Sequence, residues 1–180
     1  RRGASAASEV YKRPNQYGLE IQREPRGTKA GYNWQQFSIH RGELQMLLYN
    51  TVLERLGPDC IKTNHAAVDL SQNNNSVNVF FKNSTNGENL GKETTDIVIA
   101  ADGIHSTIRK KYYPDEGSPI YAGINLWRGT TWQKPFLSGQ TMILAGTLTS
   151  GKIVIYPISQ PYQDGQTLIN WVAEIRTDTY

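Results

Sequence analysis

Cysteine is nearly absent from this 180-residue chain, with Cys60 alone. A single thiol excludes an internal disulfide and fits a reducing compartment, so the expected location is the cytoplasm. Long hydrophobic runs are missing as well: nowhere do about 18 apolar residues follow one another, which excludes an ordinary membrane-spanning helix. Histidine is scarce, and His40, His65 and His105 show no metal-ligand spacing with one another or with Cys60. There is no Gly-x-Ser-x-Gly elbow. Asp102, His105 and Ser106 hold the three letters of a hydrolase triad, but they crowd into one short stretch, whereas triads are assembled from separated segments. Nor is charge of one sign concentrated. The formal net charge is +3, with a pI near 9.0. The densest basic cluster, Arg109–Lys111, runs into Tyr112 and Tyr113. It reads as a solvated helix face with two packing tyrosines rather than a nucleic-acid surface. The modest positive bias suits a protein that draws in anionic small molecules. With 38% hydrophobic residues and a mean hydropathy of −0.54, the composition is that of a globular protein on the polar side.

What is present centres on Thr95–Arg109, Thr-Asp-Ile-Val-Ile-Ala-Ala-Asp-Gly-Ile-His-Ser-Thr-Ile-Arg. The five small or apolar residues Ile97–Ala101 predict a strand buried on both faces, followed by Asp102, Gly103 and a short polar run that carries Ser106 and closes on Arg109 at the start of a brief helix. Open α/β sheets hold ligands at the carboxyl ends of such strands. Taken singly, the residues have plainer readings. Asp102 serves as a helix N-cap worth roughly 1 kcal/mol, and Gly103 fills a turn that needs positive φ.

Residues 1–36 are the least regular, punctuated by Pro14, Gly18, Pro25, Gly27 and Gly31, with one short alternating strand around Tyr17–Gln22. The chain opens on two arginines without a methionine, and is expected to be an internal piece of something longer. A strand is expected at Trp34–Ile39. An amphipathic helix follows from about Arg41, its apolar Leu44, Leu47, Leu48, Val52 and Leu56 falling on one face and Gly57-Pro58 ending it. A cation at a helix start opposes the macrodipole by roughly 0.3–1 kcal/mol. Arg41 is therefore either solvated and salt-bridged, or shares an anion with the first-turn amides. Cys60–Leu70 and Val77–Lys82 read as strands, with polar turns at 71–76 and 83–92, giving a small meander that ends in the buried strand. In the last third, Tyr121–Trp132, Thr141–Gly146, Lys152–Ile158 and Leu168–Ile175 are four strand-like runs joined by short turns, hence an antiparallel sheet. It carries Trp127, Trp132, Tyr156 and Trp171, which suit a flat apolar ligand or ordinary cross-strand packing.

The ordered set of apolar run, Asp102-Gly103, Ser106 and Arg109 resembles the Asp-Gly motif of the single-component FAD-dependent aromatic hydroxylases, the para-hydroxybenzoate and salicylate hydroxylase class. Ile39-His40-Arg41-x-x-Leu44-x-x-x-Leu48 is similar to a second segment of that family. Tyr121-Ala-Gly-x-x-x-Trp127-Arg128-Gly129, Ile155–Ile158 and Asn170–Val172 resemble its substrate domain. The resemblance implies an α/β fold: part of a Rossmann-like FAD-binding domain in residues 1–118, then part of an antiparallel-sheet substrate domain in 119–180. It implies FAD as cofactor and NADH or NADPH as co-substrate, with a small aromatic or heteroaromatic ring hydroxylated by O2 through a C4a-hydroperoxyflavin. Arg41, Asp102, Gly103 and Arg109 are then cofactor residues, and the backbone of Val68 borders the adenine of FAD, although a core valine is the default there. Trp127, Tyr156 and Trp171 become substrate-pocket candidates. A homodimer is compatible with the resemblance, and neither nucleic acid nor a membrane is an expected partner. Two family signatures are missing, the Gly-x-Gly-x-x-Gly turn that cradles the FAD diphosphate and the Gly-Asp motif at its ribityl end. Both are expected outside residues 1–180. Two other readings stand beside the hydroxylase: a different FAD enzyme of like architecture, such as a halogenase or reductase, and a non-catalytic binding module.

Overall fold

The computed structural model describes residues 5–7, 9–15, 17–147 and 149–178. In chain order its elements are β1 (Ser5–Ala7), β2 (Val10–Pro14), β3 (Glu20–Pro25), β4 (Phe37–Ile39), α1 (Arg41–Leu56), β5 (His65–Gln72), β6 (Val77–Asn83), β7 (Asn89–Thr95), α2 (Thr107–Tyr112), β8 (Ile124–Gln133), β9 (Thr141–Thr147), β10 (Gly151–Pro157) and β11 (Thr167–Arg176), with two short 3-10 turns at Gly27–Ala30 and Pro58–Cys60. The chain forms two compact units, Arg1–Thr51 with Tyr121–Tyr180, and Val52–Ile120.

This division differs from a boundary at 118/119, and backbone pairing explains why. The six-stranded sheet runs β3-β2-β9-β10-β11-β8, so β2 and β3 pair into the sheet of the last third. Its ladders are antiparallel, as expected, except that β2 lies parallel to β9. Residues paired across a ladder share a face. Arg23, Lys12, Ile143, Ile155, Trp171 and Gly129 therefore form one row across all six strands. Thr141, Pro157, Ile158, Thr167, Ile169, Asn170 and Val172 are buried along this sheet.

In the second unit β5, β6 and β7 form an antiparallel meander. Leu70, Val77 and Val79 close a small core with Ile108 of α2. Lys111 fastens the helix to the sheet through Asp69 Oδ1 and the Leu70 carbonyl. The third strand is not the one expected. Asn83 tightens the preceding turn, its side chain accepting from the Thr85 amide at 2.8 Å and its carbonyl from Gly87 at 2.9 Å. Residues 89–95 thus fold straight back onto β6, so the turn is shorter than expected and residues 89–92 of that polar stretch open β7. Ile97–Ala101 has no ladder partner among the described residues and is not a strand. Ile97 is 77% and Ile99 88% exposed, against the expectation of burial on both faces. A strand of that type needs neighbours on both edges to satisfy its amides and carbonyls.

Helix α1 starts at Arg41 as expected and ends at Gly57, whose φ of +87° and amide bond to the Leu53 carbonyl at 2.9 Å stop it. None of its residues is buried, so its apolar stripe is open. No helix among the described residues is long and apolar enough to cross a membrane.

Candidate functional site

After the run 97–101, exposed except for Val98, which packs against the small core, the chain turns sharply at Gly103. Its φ of +79° is a conformation that side-chain-bearing residues avoid, and the Ser106 amide closes the turn by donating to the Gly103 carbonyl at 3.1 Å. Ser106, not Asp102, is the N-cap of α2: its Oγ accepts from the Arg109 amide at 2.9 Å. The same hydroxyl donates to Asp102 Oδ1 at 2.5 Å, and Asp102 Oδ2 accepts from the Ile108 amide at 3.3 Å. Asp102 thus braces the cap from outside. The Ser106 hydrogen bond is the largest influence and holds the Asp102 carboxyl below the usual carboxylate range; desolvation comes next and opposes it, and the backbone amides of Ile108, Asp102 and Thr107 each lower it by less. The group is anionic at neutral pH.

Asp102, Gly103 and Arg109 line one open cleft of about 580 Å³, together with Asp96, Ile97 and Tyr112. Arg109 is already engaged. Its Nη2 donates to the Ile104 carbonyl at 2.7 Å and its Nε pairs with Glu116 at 2.8 Å, so the guanidinium braces the 104–116 loop and shares its charge with a carboxylate. A carboxylate with lone pairs to spare, beside an exposed glycine, accepts hydrogen bonds from ligand hydroxyls or water. That fits the sugar-like and hydrated parts of a dinucleotide better than its phosphates.

Val68 belongs to the same unit. It sits at a bulge of β5, between Ala67 and Asp69, where the β5–β6 register gives it no cross-strand partner. Sequence alternation had no means of showing this bulge. Arg41 is the exposed first residue of α1 and belongs to the other unit.

On the six-stranded sheet the three aromatic candidates separate. Trp127 pairs with Ala173 and Trp171 with Ile155 on one face, while Tyr156 pairs with Asn170 on the opposite face. The indole of Trp171 fills the space over Gly129, where an added Cβ would lie 2.2 Å from Trp171 Cζ2, and its Nε1 donates to Thr131 Oγ1 at 3.3 Å. On the tryptophan face lies a second cleft, of about 490 Å³, lined by Ile143, Ile155, Phe136 and Leu137 with Lys12 and Glu20. Lys12 and Glu20 escaped the sequence reading because residues 1–36 looked irregular. The usable signal was Val10-Tyr-Lys-Arg before Pro14, a β-prone run ahead of a turn.

No protein-family model matches the chain. The phenazine 1,6-dicarboxylic acid hydroxylase PhzS of Lysobacter antibioticus is 37% identical over 177 residues, which is 96% of this chain and 44% of that protein. The 2,6-dihydroxypyridine 3-monooxygenase of Paenarthrobacter nicotinovorans is 30% identical over 116 residues, 62% of this chain and 27% of that one. The chain therefore spans less than half the length of these curated relatives. Among solved structures, 2,6-dihydroxypyridine-3-hydroxylase from Arthrobacter nicotinovorans superposes with a TM-score of 0.65 at 22% identity, over 97% of this chain and 41% of that one. FqzB superposes with a TM-score of 0.68 at 17% identity, over 97% and 38%. At these identities the structures speak for the fold, α/β with a mixed sheet and a separate antiparallel one. By sequence and fold together, the chain is a relative of the FAD-dependent aromatic hydroxylases, homologous to a portion of their length.

Proposed function

We propose that the full-length protein is an FAD-dependent monooxygenase that uses NADH or NADPH to hydroxylate a small, planar aromatic or heteroaromatic ring. The observation that carries this reading is the Asp102-Gly103 turn. It presents an ionised carboxylate and an unobstructed backbone to the 580 Å³ cleft, in a chain 37% identical to a phenazine hydroxylase. When bound, reduced flavin supplies the oxygen chemistry. Asp102 accepts from a hydroxyl or ordered water of the cofactor, Ser106 keeps that carboxylate ionised and aimed, and Arg109 holds the turn in shape through Ile104 and Glu116. The bulged backbone at Val68 contributes a second contact in the same unit, and Arg41 offers a cation at the start of α1. In this reading Val52–Ile120 carries cofactor contacts. The tryptophan face of the six-stranded sheet carries substrate contacts, with Trp127 and Trp171 in preference to Tyr156. The relatives named for phenazine and pyridine substrates support a nitrogen heteroaromatic. The lone cysteine supports a reducing, cytoplasmic setting, and a homodimer is compatible with the same reading.

The test is incubation of the full-length protein with NAD(P)H and a panel of phenazine carboxylates, hydroxypyridines and salicylates. Substrate-stimulated NAD(P)H oxidation with a hydroxylated product is the expected result. Oxidation that no aromatic compound stimulates would point to a reductase, and a halogenated product formed with halide present to a halogenase.

A further inference from the structure

The tryptophan face of the six-stranded sheet carries a cation that the site above does not use. Lys12 is the central residue of β2 and shares its row with Ile143 and Ile155. It lines the 490 Å³ cleft with them and with Phe136 and Leu137. Its side chain is only 23% exposed, and an ammonium set among apolar side chains is costly unless it is paired. The partner is Glu20, at 3.0 Å. Glu20, however, is shared. Arg23 donates to both of its oxygens, Nε to Oε1 at 2.9 Å and Nη2 to Oε2 at 3.1 Å, the two-pronged geometry that holds a carboxylate most firmly. Two cations on one carboxylate leave the trio with a surplus positive charge. The more loosely held of the two is Lys12, which has a single contact. It is also the one that lines the cleft.

We propose that Lys12 is a specificity-determining residue, its ammonium pairing with an anionic substituent, a carboxylate or phenolate, on a planar ring that lies against Ile143 and Ile155. The proposal rests on the aromatic-hydroxylase reading and deepens it by naming the charge of the substrate and the residue that reads it. Glu20 stays with Arg23 and positions the ammonium. The cleft volume falls within the range of small-ligand pockets, roughly 300–1,000 Å³. Its lining combines four apolar side chains with Lys12 and with Glu20, whose charge Arg23 already balances, which leaves the Lys12 ammonium to match a flat ring bearing one negative group.

Calorimetric titration of the full-length protein with 2-naphthoate and with the neutral isostere 2-naphthamide tests this. Wild type is expected to bind the carboxylate about tenfold more tightly, the scale of one charge-assisted contact. Lys12→Met, similar in length and uncharged, is expected to erase that preference and leave 2-naphthamide affinity unchanged, which also shows the variant to be folded. Lys12→Arg is expected to retain the preference. Equal binding of both probes by wild type, or a preference that survives Lys12→Met, would overturn the proposal, as would failure of both probes to bind. Hydroxylation is read separately. An enzyme that hydroxylates rings without favouring anionic ones keeps the proposed function and loses the role of Lys12.

Discussion

The hydroxyl of Ser106 donates to Asp102 at 2.5 Å while accepting from the Arg109 amide at 2.9 Å, so one side chain caps α2 and fixes the carboxylate of the candidate site. Ser106→Ala removes both contacts. Loss of an N-cap of this kind costs about 1 kcal/mol. A urea midpoint lowered to that extent is expected, and Ser106→Thr should recover most of it. An unchanged midpoint would show that the cap contributes nothing.

The cofactor role proposed for Asp102 has its own test. In the full-length protein Asp102→Ala should lower flavin occupancy, read from the flavin absorbance bands, or slow NAD(P)H-driven flavin reduction. Occupancy and reduction rate both equal to wild type would remove Asp102 from the cofactor site.

The acid limb of stability follows from lowered carboxyls. Glu20, held first by Arg23 and then by Lys12, is brought down from 4.5 to about 2. Asp69 beside Lys111, Glu93 beside Lys62 and Asp102 beside Ser106 are lowered as well. A carboxyl whose folded pKa is depressed gives its full stabilisation above its unfolded value and loses it as pH falls through the folded one. Stability should therefore be level near neutrality and decline below the ordinary carboxylate range, about pH 4. Because these groups are exposed, each contribution is modest. Denaturant titrations from pH 6 downward check this, with Glu20→Gln expected to flatten the decline between 4.5 and about 2.

Gly129 is held to glycine by Trp171. A Cβ at that position would lie 2.2 Å from Trp171 Cζ2 and 2.6 Å from Cε2, so Gly129→Ala must displace the indole. Overpacking of this kind costs about 1–3 kcal/mol. Thermal unfolding should register it, and the cost should shrink in a Trp171→Ala background, where the two substitutions become non-additive. Additive effects would mean that the indole moves aside freely.

Much of this was legible in the sequence because it is local. The 3.6-residue spacing of Leu44, Leu47 and Leu48 with the Gly57 stop marked α1, and alternation with short turns marked β6 and the four strands from 124 to 176. Asp102, Gly103 and Arg109 were found by their order in the chain, and they share a cleft. What depended on distant pairing was not legible. The parallel contact of Lys12 with Ile143 carries β2 and β3 into the six-stranded sheet, and no local pattern announces it. Ile97–Ala101 has the composition of a central strand, yet composition supplies no neighbouring ladder. The β10–β11 register puts Tyr156 on the face opposite Trp171, and this was not legible because β10 is apolar on both sides, Ile153 and Ile155 on one and Val154 on the other, so alternation gave no polarity to read. The bulge at Val68 and the Arg109–Glu116 pair are likewise matters of register and side-chain reach.

Under the proposed function, the full-length protein places an oxygen atom from O2 on an aromatic ring. The most direct measurement is product mass after turnover of a phenazine carboxylate or hydroxypyridine with NAD(P)H under isotopically heavy dioxygen in ordinary water. The expected result is a hydroxylated product that carries the heavy oxygen in its new hydroxyl group. A product whose new oxygen comes from water, or turnover that yields no hydroxylated ring, would contradict it.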